Sequence, residues 1–180
     1  MRIISGKYKS RRLQAPKNLP VRPTTDIAKE ALFNIINNLY YFQDIKVLDL
    51  FSGTGNISFE FASRGTTNIT AIDAHYGCIK FIDQISNELD FAINTVKSDV
   101  FKYLKKTHTK FDIIFADPPY IFEQEKFENL IDLIVDKQLL EEDGLLIVEH
   151  SSRTNLTSHN HFSHSKKYGG NCFSFFNFKT

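Results

Sequence analysis

Cysteine, tryptophan and long apolar runs are all scarce in this 180-residue chain, and each shortage narrows what the protein can be. The only two cysteines, Cys78 and Cys172, stand far apart in unrelated contexts. That excludes a disulfide-stapled miniprotein and points to reduced thiols in a cytoplasm. No stretch approaches the roughly 18 uncharged apolar residues of a membrane span, so no membrane partner is expected. The opening residues, MRIISGKYKSRR, are basic but lack an apolar run followed by a small-residue cleavage site, and do not read as a signal peptide. Eight glycines and five prolines are too few for collagen. What remains is ordinary globular composition, 42% hydrophobic and 24% charged, in about one domain's length of chain. A single domain over 1–180 is expected, cytoplasmic and monomeric.

Acid is missing from one end. The first 25 residues hold seven cations (Arg2, Lys7, Lys9, Arg11, Arg12, Lys17 and Arg22) and no aspartate or glutamate, although the whole chain carries a net charge of only +1. A basic arm over 1–24 on an acidic body over 25–180 suits binding to phosphate, because local cations release condensed counterions. A solvated tail is the other reading of the same charges. Pro16, Pro20 and Pro23 crowd the end of the arm, and should hold 14–24 extended.

A helix should begin near Asp26, capped by Thr25 or Asp26, with Ile27, Ala31, Leu32, Ile35, Ile36 and Leu39 as its apolar face. From Lys46 onward short apolar runs at 46–51, 69–73, 94–98, 112–116 and 144–149 alternate with helical patterns near 56–64, 76–90, 99–106 and 124–138. Such alternation implies right-handed crossovers and a mostly parallel sheet with helices on both faces, an α/β fold. Gly169-Gly170 separates two runs within 165–178, which predicts an antiparallel hairpin at the sheet edge. The polar stretch 151–164 reads as a loop. Its His159, His161 and His164 lack a nearby cysteine and do not make a metal signature.

Three segments carry chemistry. Asp49-Leu50-Phe51-Ser52-Gly53-Thr54-Gly55 ends the first strand and opens a helix, where glycines let the backbone approach a ligand. The dinucleotide fingerprint wants a third glycine or alanine where this chain has Ser58. A carboxylate at Asp49 also suits a cation better than a pyrophosphate, so a sulfonium cofactor, S-adenosylmethionine, fits better than a nicotinamide dinucleotide. Asp73 closes the second strand and could accept from ribose hydroxyls, or merely cap the strand. Asp99 closes the third and could accept from an adenine amine, or N-cap the next helix. The third segment, Asp117-Pro118-Pro119-Tyr120, combines a carboxylate, a rigid turn rich in carbonyl acceptors and an aromatic face for a base. That set suits methyl transfer to an exocyclic amine.

DLFSGTGNISFE (49–60) with DPPY (117–120) resembles the Rossmann-like class I methyltransferases that modify amino groups of bases. RIISGKYKSRRLQAP (2–16) and RPTTDIAKEALFN (22–34) narrow the resemblance to the RsmD family, which methylates N2 of a guanine in small-subunit ribosomal RNA. The resemblance implies that Asp49, Phe51, Ser52, Gly53 and Gly55 surround the methionine part of the cofactor. Asp73 would lie at the ribose, and Asp99 and Val100 near the adenine. Asp117, Pro118, Pro119 and Tyr120 would hold the guanine, Thr24 and Thr25 would help cover the pocket, and Arg2, Lys7, Lys9, Arg11, Arg12 and Arg22 would meet RNA. The partner would be ribosomal RNA within the small subunit. Two features depart from the family pattern: the acidic segment IFEQEKFENL after DPPY, and the histidine loop. A DNA adenine-N6 methyltransferase and a non-catalytic RNA-binding assembly factor are the alternatives.

Overall fold

The computed structural model describes residues 1–16, 19, 24–119 and 121–178. After helix α1 (Asp26–Asn37) and a 3-10 turn at Phe42–Asp44, strands and helices alternate. They run β1 (Lys46–Leu50), α2 (Asn56–Ser63), β2 (Asn68–Asp73), α3 (Tyr76–Leu89), β3 (Ile93–Lys97), α4 (Val100–Lys106), β4 (Phe111–Ala116) and α5 (Gln124–Asp136). Strands β5 (Leu140–Ser151), β6 (Phe162–Tyr168) and β7 (Asn171–Phe176) complete the chain. One seven-stranded sheet has the order β3-β2-β1-β4-β5-β7-β6. Strands β1 to β5 are parallel, and β7 joins β5 and β6 antiparallel. The expected α/β sheet and its closing hairpin are both present. Among the described residues no helix is long and apolar enough to cross a membrane.

Alternation along each strand sends side chains to opposite faces, and the core divides accordingly. Leu48, Leu50, Ile114 and Ala116 meet α4 and α5 on one face. Val47, Ile113 and Phe115 meet α1 and α2 on the other, and Ala71 meets α3 beside them. The strand order reverses at β1: α2 and α3 lead outward to β2 and β3, whereas β4 and β5 lie on the opposite side. Open sheets leave a crevice at such a reversal.

Three expectations need correction. Helix α1 buries Ala28, Lys29, Leu32, Phe33 and Ile36, while Ile27 and Leu39, expected on the apolar face, are 77% and 61% exposed. The inward stripe is rotated by one residue because Phe33 packs on Phe61 and Phe42, and the buried Lys29 is polar and so invisible to an apolar count. Strand β5 begins at Leu140 rather than 144, since Leu140 pairs with Phe111 ahead of a register shift and only then follows Ile113–Leu145. The polar stretch after it is shorter than expected, with β6 already formed at Phe162. His164 lies in that strand, its ring stacked on Phe175 at 4.4 Å, while His159 bonds Asp132 at 3.1 Å. Among the described residues no group of histidine, cysteine and acid could hold a metal.

The first 13 residues are not a free tail. Ile3 N–H donates to Arg11 and Leu13 N–H to Met1, and the Ile3 and Leu13 side chains are buried against α3. Gly6 (φ +82°) sits so close to the end of α2 that a Cβ would fall 1.8 Å from the Ser63 carbonyl oxygen. The fully buried Glu60 carboxylate holds this small hairpin, accepting from Ile4 N–H at 2.8 Å, Ser5 N–H at 3.0 Å and Arg64 Nε at 2.8 Å. Lys29 Nζ lies 3.7 Å from the same carboxylate and donates to the Arg2 carbonyl and to Asn56 Oδ1, each at 2.7 Å. Burial pulls the Lys29 pKa below its ordinary value, and Glu60 is the chief opposing influence. The proline-rich end of the arm, expected to be extended, falls largely at 17–18 and 20–23, outside the described residues.

Removing one member of a buried charge pair leaves the other uncompensated. Lys29→Met should therefore cost about 3 kcal/mol of unfolding free energy, measured by urea titration. It should also speed proteolysis within residues 1–13 relative to the wild type.

Candidate active site

Strand β1 ends in a turn that only part of the residue alphabet can make. Phe51 (φ +58°), Gly53 (φ +53°) and Gly55 (φ +76°) all occupy the left-handed region. For Phe51, a non-glycine residue, that conformation costs roughly 1–2 kcal/mol, and its ring is held edge-on to Phe122 at 5.4 Å. Gly55 is the N-cap of α2. A Cβ there would lie 2.9 Å from Ile82 Cγ1, so this glycine serves backbone shape and packing, and it does not line the cleft described below. Ser52 N–H donates to the Ile72 carbonyl at 2.9 Å, tying the turn to β2.

The aspartates at the strand ends brace this turn. Asp73 Oδ2 accepts from Gly53 N–H at 2.8 Å and Oδ1 from His75 N–H at 2.7 Å. Asp49 is 1% exposed and its Oδ2 accepts from Ser58 Oγ at 2.5 Å and Ser58 N–H at 3.2 Å. Ser58 therefore does more than break a dinucleotide fingerprint: it supplies two donors to a buried carboxyl. Burial nevertheless dominates and raises the Asp49 pKa from 3.8 to about 7, against the lowering effect of the Ser58 bonds. Asp99 caps α4, accepting from Lys102 N–H at 2.9 Å. Its capping reading is thus correct, and it also faces the cleft.

A cleft of about 910 Å³ opens at the carboxyl ends of β1, β2, β3 and β4. Asp49, Phe51, Ser52, Gly53, Asp73, Asp99, Val100 and Thr24, all expected at a cofactor, line it, as do Asp117, Pro118 and Pro119. Asp117 N–H donates to the Leu50 carbonyl at 3.3 Å, which holds the diproline corner against the glycine turn. Thr24 is buried and its hydroxyl donates to Glu149 Oε2 at 2.8 Å. Thr25 is not in the cleft; it is exposed and caps α1 through Ala28 N–H at 3.3 Å. Tyr120 and Arg22 lie outside the described residues.

Of the expected RNA contacts, Arg2 is paired with Asp26 at 2.9 Å and Arg11 with Glu88, while Lys7 and Arg11 sit over the Tyr8 ring. Lys7, Lys9 and Arg12 are exposed and have no acidic partner within 4 Å among the described residues. Sequence reasoning missed several groups in the cleft. Cys78 is 1% exposed yet borders the cleft, with burial raising its thiol pKa to about 11. Asn56 is fixed by Lys29 and by its own bond to the Thr24 carbonyl at 3.3 Å. Phe122 and Lys126 come from the acidic segment. Only the oddity of Phe122 and Lys126 among five acids or amides in IFEQEKFEN could have singled them out.

A mostly parallel sheet with the order 3-2-1-4-5-7-6, a glycine turn after β1 and acids closing β1 to β4 together define a Rossmann-like methyltransferase. The family described as Conserved hypothetical protein 95 matches residues 1–177, and the chain belongs to it, the RsmD family. It is 33% identical over 159 residues to the ribosomal RNA small subunit methyltransferase D of Buchnera aphidicola, covering 86% of this chain and 78% of that one. The solved structure of yhhF from Escherichia coli matches with a TM-score of 0.83 and 27% identity, over 99% of this chain and 98% of that one. At 17% identity and a TM-score of 0.71, a Thermus thermophilus 16S rRNA N2 methyltransferase, RsmC, solved with AdoMet and guanosine, shares the fold across 90% of this chain and 45% of its own.

The Asp49 carboxyl has a consequence for stability. The folded protein keeps its proton up to about pH 7, whereas the unfolded chain releases it near the ordinary value of 3.8. Between these values the native state binds more protons, so this group's contribution to stability falls as pH rises from 4 to 7. Asp49→Asn should flatten that part of the thermal-melt profile, measured without ligand; an unchanged slope would show that Asp49 ionises normally in the fold.

Proposed function

We propose that the chain transfers a methyl group from S-adenosylmethionine to the N2 amine of a guanine in small-subunit ribosomal RNA. The observation that carries the reading is the union of two acceptor sets in one cleft: carboxylates at the ends of β1, β2 and β3, and the Asp117-Pro118-Pro119 corner at the end of β4. The cofactor is a sulfonium cation with an amino-acid tail and a ribose, and supplies an electrophilic methyl when bound.

The residues present fit that group. Asp73 accepts one backbone bond on each oxygen, from Gly53 of the turn and from His75, and each carboxylate oxygen keeps a second acceptor site for a ribose hydroxyl. Only Oδ1 of Asp99 is used by its helix cap, leaving Oδ2 for an adenine amine. Asp49, Phe51, Ser52 and Gly53 would face the methionine part, and ionised Asp49 would favour its positive charge. Thr24 would close the pocket from the α1 side.

The guanine must leave its stack to reach the cleft, at a cost of about a few kcal/mol. Tyr120 would offset this by stacking on the base, worth about 1–3 kcal/mol. The Asp117 carboxylate and the Pro118 carbonyl would accept N–H bonds from the amine, turning its lone pair out of conjugation and toward the methyl. As the new C–N bond forms the N–H proton becomes acidic, and the Asp117 carboxylate would receive it. Positioning supplies most of the acceleration in such a site. Lys7, Lys9 and Arg12 on the N-terminal hairpin would meet RNA phosphates, with Arg2, Arg11 and Arg22 beside them. The protein would work as a cytoplasmic monomer on the small subunit.

Mass-spectrometric mapping of ribosomal RNA with and without the gene tests the reading: one N2-methylguanine should disappear in the deletion. Asp117→Ala should lower transfer at least about 100-fold, with cofactor affinity by calorimetry nearly unchanged. Equal loss of both would make Asp117 structural. Transfer to duplex DNA in preference to small subunits would favour adenine-N6 chemistry instead, and failure to bind labelled cofactor would favour a non-catalytic assembly factor.

A further inference from the structure

The wall of the cleft beneath α5 carries a positive charge. Lys126 stands in the first turn of α5 and lines the same cleft as Asp117, Pro118 and Pro119. It is the only lysine or arginine among the described lining residues, facing four aspartates: Asp49, Asp73, Asp99 and Asp117. Its ammonium lies 5.7 Å from the centroid of the Phe122 ring. Phe122 is stacked on Phe101 at 6.2 Å with an interplanar angle of 21° and edge-on to Phe51. An aromatic wall therefore runs from the glycine turn to the lysine. Glu123, Glu125 and Glu128 surround Lys126 in sequence. Yet among the described residues it makes no ion pair within 4 Å, and lies over the ring instead.

We propose that Lys126 donates to O6 of the target guanine and thereby sets which base is accepted. This inference rests on the guanine-N2 reading above. Guanine shows two donors on one edge, the N2 amine and N1–H, beside one acceptor, O6, with N7 next to it. The Asp117-Pro118 corner offers acceptors, which match the donors and leave O6 unanswered. A carbonyl taken out of water without a donor is costly. The hydroxyls of Thr24 and Ser52 already donate to Glu149 and to the Ile72 carbonyl, and the Asn56 amide to the Thr24 carbonyl; Thr54 and His75 belong to the loops after β1 and β2, whereas Lys126 lies on the segment after β4 that carries the Asp117-Pro118 corner. Lys126 brings three donors and no acceptor on a flexible four-carbon stem. A purine with an amine in place of O6 would set donor against donor. A site built to answer a polar group rejects the analogue that lacks it far more strongly than an apolar pocket rejects a missing methyl.

The test uses reconstituted small subunits whose RNA carries, at the mapped position, guanine, 2-aminopurine or 2,6-diaminopurine. All three keep the N2 amine; the second lacks O6 and the third replaces it with an amine, and since N1 carries no proton in either, only the share of the preference that Lys126→Met removes reports on O6. Wild-type protein should methylate guanine at least about 1000-fold faster, as kcat/KM, than either analogue. Lys126→Met should lose most of that advantage by slowing guanine alone, with cofactor affinity and melting temperature unchanged, and Lys126→Arg should restore part of it. If Lys126→Met slows all three substrates equally, the lysine serves phosphate or shape and the inference is overturned; no effect on any of them overturns it too. A wild-type protein that leaves N2 of guanine unmethylated defeats the parent reading, a result distinct from either.

Discussion

Everything in this molecule follows from the position of β1, where the chain stops building the sheet in one direction and starts building it in the other. Strand β1 pairs with β2 on one side and with β4 on the other. No crossover connection closes over the ends of these two strands, and a crevice must open between the loops that leave them. Two backbone bonds then fix its lips: Ser52 N–H to Ile72 and Asp117 N–H to Leu50. The glycine turn cannot drift from β2, nor the diproline corner from β1. The distance between the two chemical halves of the cleft is therefore set by sheet geometry, with no help needed from loop packing.

The same reversal explains a polar interior that would otherwise be costly. Glu60 is fully buried on α2, and a charge in that position must be met by donors. It is met by two backbone amides of the N-terminal hairpin, by Arg64 and at longer range by Lys29. Lys29 in turn reaches Asn56, and Asn56 reaches the Thr24 carbonyl, whose own hydroxyl ends on Glu149 of β5. A chain of hydrogen bonds thus joins the basic hairpin, the start of α2 at the glycine turn, and strand β5. Members of one such network share their energies and do not act additively. The hairpin that carries Lys7, Lys9 and Arg12 is consequently a rigid part of the body.

How far this could be read from residues alone depended on which physical signal each residue gives. Strand-helix alternation placed all five parallel strands, four because a buried parallel strand reads as an apolar run and the half-buried edge strand β3 by its place between two helical patterns, and the Gly169-Gly170 pair marked the β6–β7 turn. Asp49, Asp73, Asp99 and Asp117 were legible at the strand ends because acids there interrupt that apolar pattern. Less legible was anything whose role comes from a distant partner. Lys29 looks like a surface cation within α1, and only Glu60 and Asn56 explain its burial. The basic arm hid its own fold, since Ile3, Gly6 and Leu13 find their partners in α2 and α3, 50 to 80 residues away. Lys126 was lost in the net charge of its segment. Averaging charge over ten residues conceals a single side chain turned from the rest by helical phase.

Some residues hold the fold and face the cleft together. Asp73 and Asp99 could each be read as structural caps or as ligand acceptors, and the geometry makes these readings compatible. A carboxylate has about four acceptor sites; Asp73 spends two on backbone amides and Asp99 one. The amide bonds point each carboxylate and limit its rotamers before any ligand arrives, so less conformational entropy is lost on binding. Fully exposed acids at the same positions would present equal charge with poorer aim. Asp49 is the contrasting case: deeper, with both of its donors from Ser58, it is held by burial near its protonation midpoint at neutral pH. A cation arriving beside it would draw off that proton, and the gain in charge would coincide with occupancy of the cleft.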